Sequence, residues 1–189
     1  MKIGFFGAGG TGKSTTAMAL SELLKISFCP STTRGVFAKY GKTQKDFPSL
    51  TPGLKKTIQL DNFTNKEQYD NANTHGVFDR TLLDHLMYML LYCNDMLTDT
   101  EFNDLLDRVY VNLYGYDKLI FFPLYLWKSS VDDGFREVGI AHRYTQDFLI
   151  KGLLQKIKIA EPKLKYTTMV IGSIEERVQY LNSIITQFA

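Results

Sequence analysis

A glycine-rich stretch near the amino terminus has the residue types needed to bind phosphate. Its inner octet, GAGGTGKS, fits the pattern G-x-x-x-x-G-K-[ST] at every fixed position. Glycines in such a loop let backbone N–H groups turn toward phosphate oxygens, and the following helix adds its positive end. Here Lys13 can reach the terminal phosphates of ATP, and Ser14 can bind Mg²⁺. The predicted nucleotide-binding residues of this P-loop are Gly7, Ala8, Gly9, Gly10, Thr11, Gly12, Lys13, Ser14 and Thr15.

A second group of candidates begins where the apolar segment VFD, residues 77–79, ends in an acid. Beside a P-loop, the Asp79 carboxylate would hold Mg²⁺ through water or orient an acceptor hydroxyl as a base. Arg80 would then face the transferred phosphate or a phosphate of the acceptor. The alternative is a helix N-cap at Asp79 with a solvent-exposed Arg80.

A third group lies in the polar segment VDDGFREVG, residues 131–139, whose two glycines supply a hinge. Arg136 can swing over the phosphates, exclude water and neutralise the charge of the transition state. We therefore expect a lid at about residues 128–143 with Arg136 as a catalytic residue. Asp132 and Asp133 either bind the acceptor or hold Arg136 in place, and an ordinary polar surface turn is the alternative.

Further candidates for the acceptor site are single side chains without a motif of their own. Arg34 lies on the first turn of a predicted helix after the second strand, where it can bind a phosphate or a base carbonyl. An exposed arginine near a helix start is the alternative for this position. The predicted acceptor-binding residues are Arg34, Gln59, Arg80, Asp84 and Asp133.

Strand patterns alternate with helix patterns along the chain. Five apolar runs predict strands, at residues 2–7, 26–29, 75–79, 118–122 and 166–171. This alternation predicts an α/β three-layer sandwich, with a mostly parallel five-stranded sheet covered by helices on both faces. Ligands in such sheets bind beyond the carboxyl ends of the strands, where the candidate residues lie. Residues 42–53 contain two prolines and a glycine, and we expect them to be an irregular insertion.

Composition limits the classes of protein that this chain can belong to. The 189 residues suit one domain, residues 1–189, and the net charge of +2 gives no global field that would draw it to nucleic acid or a membrane. No apolar run is long enough to span a bilayer and no signal peptide precedes the first strand, so we expect a cytoplasmic protein. The apolar helix at residues 82–93 suits a homodimer face as well as a core, which leaves a homodimer open.

Four quoted pieces together resemble a known family of P-loop kinases. They are GAGGTGKST at residues 7–15, STTRGVFAKYG at 31–41, VFDRTLLDH at 77–85 and DDGFR at 132–136. The set resembles AAA-type kinases related to the ribosylnicotinamide kinase domain of a bacterial NAD-biosynthesis regulator, including phage-encoded relatives. The stretch DRTLLDHLMYM is also similar to a segment of thymidylate kinases and, more loosely, of deoxynucleoside kinases.

The resemblance implies a role for each matching residue. Lys13, Asp79 and Arg136 correspond to catalytic residues, and Arg34 and Arg80 to acceptor contacts. Ribosylnicotinamide kinases place an acid just before the arginine of the second helix, whereas this chain has threonines there. That departure disfavours nicotinamide riboside as the acceptor.

These observations favour an ATP- and Mg²⁺-dependent kinase whose acceptor is a small nucleoside or nucleoside monophosphate. One alternative is a kinase that acts on a hydroxymethylated base in phage DNA, with a basic rim formed by Lys39, Lys42, Lys45, Lys55 and Lys56. The near-neutral charge argues against tight binding of nucleic acid, without excluding it. Another alternative is a P-loop ATPase that has no small-molecule acceptor. A GTPase is disfavoured because the sequence has no guanine-reading N/T-K-x-D motif.

Overall fold

The computed structural model describes residues 1–125, 134–135, 139–169 and 172–186. In chain order the described elements are β1 (Lys2–Gly7), α1 (Lys13–Leu24), β2 (Phe28–Cys29), α2 (Thr33–Lys39), a 3₁₀ helix (Gln44–Ser49), α3 (Pro52–Ala72), β3 (Gly76–Asp79), α4 (Leu82–Cys93), a second 3₁₀ helix (Asn94–Met96), α5 (Asp99–Tyr114), β4 (Lys118–Phe122), α6 (Ile140–Ala160), β5 (Thr167–Thr168) and α7 (Ile174–Thr186).

The described strands form one parallel sheet in the order β2-β3-β1-β4-β5. Every residue of the central strand β1 is buried, as expected for a parallel sheet covered on both faces. The register pairs Phe5 with Asp79 and Gly7 with Phe122. The end of β3 therefore lies beside the start of the P-loop, and the predicted α/β fold is confirmed.

Two apolar clusters fill the spaces on either side of the sheet. On one face, α1 and α7 pack against the sheet through residues such as Leu20 and Leu181. On the other face, α4, α5 and α6 contribute residues such as Leu86, Val109 and Ile150. The three layers result because each helix buries one apolar stripe against the sheet.

Helix α4 belongs mainly to the core. The residues from Leu82 to Met89 have at most 4% of their surface exposed. This stretch of the helix is therefore occupied by packing within the chain and offers little of its surface to a second copy.

The segment expected to be irregular contains helical structure. Residues 44–49 form a 3₁₀ helix, and α3 already begins at Pro52. Thr43 and Asp46 form a capping box at the first of these helices, and Pro52 occupies the first turn of α3, where a missing N–H costs nothing. The prediction of an irregular segment was therefore wrong, because Pro48 lies inside the 3₁₀ helix and Pro52 and Gly53 begin α3.

Two strands are shorter than predicted. Strand β2 contains only Phe28–Cys29, and β5 only Thr167–Thr168, with residues 170–171 outside the described part of the chain. Both lie at the edges of the sheet, where fewer residues find a pairing partner. Among the described helices, none combines the length and apolar character that crossing a membrane requires.

Candidate active site

The backbone of the P-loop depends on glycine at two positions. Gly7 has a φ of 142°, and a Cβ atom there would lie 2.2 Å from the carbonyl oxygen of Phe122. Gly12 has a φ of 87°, and a Cβ atom there would lie 2.8 Å from a guanidinium nitrogen of Arg177. L-amino acids rarely adopt such φ values, so the motif glycines are needed for the loop to turn and for its neighbours to approach.

The Lys13 side chain curls back inside this loop. It is only 4% exposed. Its Nζ donates to the carbonyl oxygens of Gly7 at 2.7 Å and Ala8 at 2.5 Å. The ammonium group is thus held at the concave side of the loop, where a phosphate group of a nucleotide would need a positive charge.

Helix α6 holds the first half of the loop. Gln146 Oε1 accepts the backbone N–H of Gly9 at 2.7 Å. Arg143 donates to the carbonyl oxygens of Gly9 at 3.1 Å and Gly10 at 3.3 Å. Burial lowers the pKa of the Arg143 guanidinium from its ordinary value. The N–H group and the carbonyl group of Gly9 are therefore both held by side chains of α6, which lies outside the motif.

Two more helices hold the rest of the loop. Arg177 of α7 donates to the carbonyl oxygen of Thr11 at 3.0 Å. Asp84 of α4 is completely buried, accepts the N–H of Gly7 at 3.1 Å, and accepts the N–H of Thr81 at 2.9 Å. Burial raises the pKa of the Asp84 carboxyl. The sequence predicts Asp84 as an acceptor contact, but the structure places it under the loop.

Ser14 and Asp79 are in direct contact. Ser14 Oγ donates to Asp79 Oδ2 at 2.6 Å, and Asp79 Oδ1 is buried without a hydrogen-bond partner among the described residues. These hard oxygen donors suit Mg²⁺, which keeps several waters and binds through one or two carboxylates plus substrate phosphates. No group of three or more acidic, histidine or cysteine side chains in the described ranges could hold a metal by itself. The pair therefore fits a Mg²⁺ that is shared with a nucleotide.

Arg80 has a strained backbone and a buried side chain. Its φ is 79° and its exposure is 9%. The guanidinium lies 5.2 Å from the centre of the Tyr88 ring and 3.6 Å from Asp84 Oδ1. Burial lowers the pKa of Arg80, but Tyr88, Asp84 and Asp79 raise it more, so the net pKa is above its ordinary value. Strain of this kind persists where surrounding contacts enforce it, often at functional sites.

The alternative interpretation, in which Asp79 is a helix N-cap and Arg80 is exposed to solvent, does not match the geometry. Thr81, not Asp79, is the N-cap of α4, with Asp84 completing its capping box. The Arg80 side chain is buried instead of being exposed to solvent.

Two clefts flank the P-loop. One encloses about 310 Å³, and we call it the loop cleft; its lining includes Gly10, Thr11, Gly12, Tyr125, Arg143 and Arg177. The other encloses about 290 Å³, and we call it the β3 cleft; its lining includes Ser14, Arg34, Gln44, Asp79, Arg80 and Phe135. Thr15 lines the loop cleft and Ser14 lines the β3 cleft, so the two clefts have neighbouring residues of α1 in their walls.

The β3 cleft contains several of the predicted residues. It brings together Ser14, Arg34, Asp79 and Arg80. Gln59 is only 2% exposed and is not part of the described lining.

The predicted lid is described only in part. Arg136 and Asp133 lie outside the described residues, as does most of the segment expected at 128–143. Residues 140–143 belong to the first turn of α6.

Sequence reasoning missed several residues of the site. Gln44 and Phe135 line the β3 cleft, while Gln146 and Arg177 hold the loop. A usable signal existed for the helix that contains Gln44. Thr43 and Asp46 have the spacing of a capping box, which predicts that a helix starts there. No local pattern marks the residues on α6 and α7.

Comparison with solved structures shows proteins of the same fold. Deoxyadenosine kinase from M. mycoides, with dCMP and a flexible dCDP bound, superposes with a TM-score of 0.70 over 100% of both chains at 16% identity. NadR in complex with NR gives a TM-score of 0.66 at 15% identity, covering 96% of this chain and 50% of that one. Thymidylate kinase from Candida albicans gives 0.60 at 18% identity, covering 98% of this chain and 90% of that one.

At these low identities the superpositions show the fold alone, which is that of P-loop kinases. The activity has to be argued from the site. No curated protein sequence matches the chain significantly. A family model described as an AAA domain matches residues 2–177, from the first strand to the first turn of α7. The chain therefore belongs to this family of AAA domains.

Proposed function

We propose that this protein is an ATP- and Mg²⁺-dependent kinase that transfers the γ-phosphoryl group to a small nucleoside or nucleoside monophosphate. The observation that carries the proposal is the 2.6 Å contact between Ser14 and Asp79. It joins the phosphate-binding loop to the wall of a separate cleft. Phosphoryl transfer depends mainly on positioning and positive charge, so a donor and an acceptor site that meet at one carboxylate suit this reaction.

The loop cleft would take the donor nucleotide. The N–H groups at the start of α1 and the Lys13 ammonium would face its phosphates. Arg143 and Arg177 would lie close to the same phosphates, since both already contact carbonyl oxygens of the loop. Ser14 and Asp79 would hold Mg²⁺, which supplies charge neutralisation between the β- and γ-phosphates.

The β3 cleft would take the acceptor. The reacting oxygen of the acceptor, a hydroxyl of a nucleoside or a phosphate oxygen of a nucleoside monophosphate, forms a bond to the γ-phosphorus, and the bond from that phosphorus to the bridging oxygen of ADP breaks. Where the reacting oxygen carries a proton, that proton passes to Asp79. Asp79 Oδ1 is the suitable base, because no described residue hydrogen-bonds it. The guanidinium groups of Arg34 and Arg80 favour an acceptor that carries a phosphate, since arginine matches phosphate in two parallel hydrogen bonds.

We also propose that residues 1–189 act as a single domain and that residues 128–143 form a lid. Phe135, inside that range, lines the β3 cleft. We propose Arg136 as the catalytic residue of this lid and Asp133 as an acceptor ligand, since both belong to the DDGFR stretch that resembles the kinase family. The proposed location of the protein is the cytoplasm.

The alternative acceptor, a hydroxymethylated base in phage DNA, receives less support from the surface. Lys56, one of the five lysines of the predicted basic rim, donates to Glu101 at 2.7 Å. That ion pair reduces the charge available to a DNA backbone.

The direct test is an ADP-release assay with Mg-ATP. The acceptors are nucleosides and their 5′-monophosphates in both sugar series, nicotinamide riboside, and duplex DNA that contains hydroxymethylated bases. Stimulation by a nucleoside or a nucleoside monophosphate supports the proposal. Stimulation by DNA alone favours the alternative acceptor, and ADP release that no acceptor stimulates contradicts a kinase.

A further inference from the structure

Gln44 has an amide group that faces the β3 cleft. The residue is only 6% exposed and belongs to the lining of that cleft. Within the described ranges, no residue hydrogen-bonds its side chain. Enclosed amide groups in proteins normally find a partner, and one that is kept open at the wall of a cleft points to a ligand.

The position of Gln44 is set by its neighbours in the chain. Thr43 donates through its N–H and its hydroxyl to Asp46 Oδ2, at 2.7 and 2.9 Å, which fixes the start of the 3₁₀ helix. The N–H of Lys45 donates to the carbonyl oxygen of Phe135 at 3.2 Å. The backbone is therefore held on both sides of Gln44, which fixes the point from which its side chain leaves the chain.

The lining of the β3 cleft also contains an aromatic ring in contact with a guanidinium group. The Arg34 guanidinium lies 4.6 Å from the centre of the Phe135 ring, and Met18 and Phe28 also line the cleft. A planar ring can stack against the Phe135 and Arg34 pair. A glutamine amide offers a donor and an acceptor side by side, which matches a heterocycle whose edge has an adjacent donor and acceptor.

We infer that Gln44, with the Phe135 and Arg34 wall, recognises the heterocyclic base of the acceptor. The acceptor then has its nucleobase at the Gln44 end of the β3 cleft and its reacting oxygen at the Asp79 end. This inference rests on the proposed function and deepens it, because it assigns the residues that recognise the base. Gln44 is a specificity residue and takes no part in the transfer step itself.

The experiment measures binding without ATP, by calorimetry, to the four deoxynucleosides and their 5′-monophosphates, with 2-deoxyribose and its 5-phosphate as base-free probes. For the compound that binds wild-type protein best, we expect Gln44→Leu to weaken binding by about tenfold, the value of one or two lost hydrogen bonds. Base-free probes should bind wild-type protein no better than the Gln44→Leu variant. Gln68→Leu is the control, because Gln68 is an exposed glutamine of α3 outside the described lining.

A second variant tests the hydrogen-bond pattern itself. A carboxylate can only accept, so Gln44→Glu should favour the bases that present an amino group, adenine, cytosine and guanine, over thymine. A uniform loss across all bases would contradict recognition of the base edge. Melting temperatures of all variants show whether each remains folded.

Several outcomes overturn the inference. One is a wild-type protein that binds none of the eight base-containing compounds. Another is a Gln44→Leu protein with unchanged affinity, or an equal loss for Gln68→Leu. Since no ATP is present, these results are independent of the ADP-release assay, and a kinase that recognises the base of its acceptor through other residues would fail here while passing there.

Discussion

Ser14 and Asp79 are separated by 65 positions in the chain, yet Ser14 Oγ donates to Asp79 Oδ2 at 2.6 Å. The contact follows from topology. Strands β1 and β3 are parallel neighbours with Phe5 opposite Asp79, so β3 ends where the chain leaves β1 for the P-loop. The contact connects the loop that would hold the donor phosphates with the cleft that would hold the acceptor.

Asp79→Asn should reduce phosphoryl transfer by about 10²-fold or more, because the amide can neither take the proton nor balance the metal charge. Binding of ATP should persist, since Lys13 and the loop N–H groups are unchanged. The measurement is ADP release together with ATP affinity. Asp107→Asn, at an exposed position on α5, is the control. Transfer at the wild-type rate would remove Asp79 from the reaction.

Local patterns were sufficient to predict the elements on which this pair lies. The P-loop octet and the acid at the end of β3 each occupy a few consecutive residues, and both follow a short apolar run of the length expected for a buried strand. The bounds of α4 and β4 match the predicted residues 82–93 and 118–122. The positions of Lys13 and Asp79 at one edge of the sheet then follow from parallel pairing.

The contacts that hold the loop could not be predicted in this way. Gln146 and Arg177 reach it from helices whose packing is set by the apolar clusters on the two faces of the sheet. Such contacts join residues that are far apart in the chain, so the local spacing of residue types does not predict them. The helical structure at residues 44–49 was missed for a different reason, because proline was taken as a helix breaker where it lies inside a 3₁₀ helix.

Gln146→Leu should raise the KM for ATP by about tenfold and leave the KM for the acceptor unchanged. The substitution removes the hydrogen bond that holds the N–H of Gly9, so the loop loses part of its preorganised shape. Steady-state kinetics with each substrate varied in turn measure both constants. Gln155→Leu, at an exposed position of the same helix, is the control. An effect on the acceptor alone would contradict a role in the loop.

Gly7→Ala should lower the free energy of unfolding by about 3 kcal/mol. The added Cβ would lie 2.2 Å from the carbonyl oxygen of Phe122, in a backbone conformation that alanine avoids. Gly35→Ala is the opposite case, since a Cβ there meets nothing within 4 Å and the residue lies in α2. That substitution should raise the free energy of unfolding by about 0.5–1 kcal/mol. Urea unfolding of both variants compares the two effects, and equal losses would contradict the close approach at Gly7.

Arg136→Ala should reduce turnover by a factor on the order of 10³, if this arginine neutralises the charge of the transition state from the proposed lid. The fold should be unaffected, which the melting temperature can show. Arg108→Ala is the control, because Arg108 pairs with Glu67 away from both clefts. Turnover equal to that of the wild type would remove the catalytic role proposed for the lid.

His85 should make the protein less stable in mild acid. Burial holds the pKa of its imidazole well below the ordinary value of 6.5, and the charges of Lys66 and Arg80 lower it further. Below pH 6.5, the His85 imidazole therefore binds a proton in the unfolded chain but not in the folded chain. The free energy of unfolding from this group should fall by about 1.4 kcal/mol for each pH unit, until the pKa of the folded state is reached.

Its neighbour Asp84 acts in the opposite direction. Burial raises the pKa of the Asp84 carboxyl above its ordinary 3.8, so the folded state binds the extra proton there. The contribution of His85 must therefore be measured as a difference between wild-type protein and His85→Gln, in urea unfolding at pH 7.5, 6.5 and 5.5. The difference should change by about 0.4 kcal/mol between pH 7.5 and 6.5 and by about 1 kcal/mol between pH 6.5 and 5.5, with the wild type losing more. A difference that is independent of pH would mean that His85 binds its proton equally well in the folded and unfolded states.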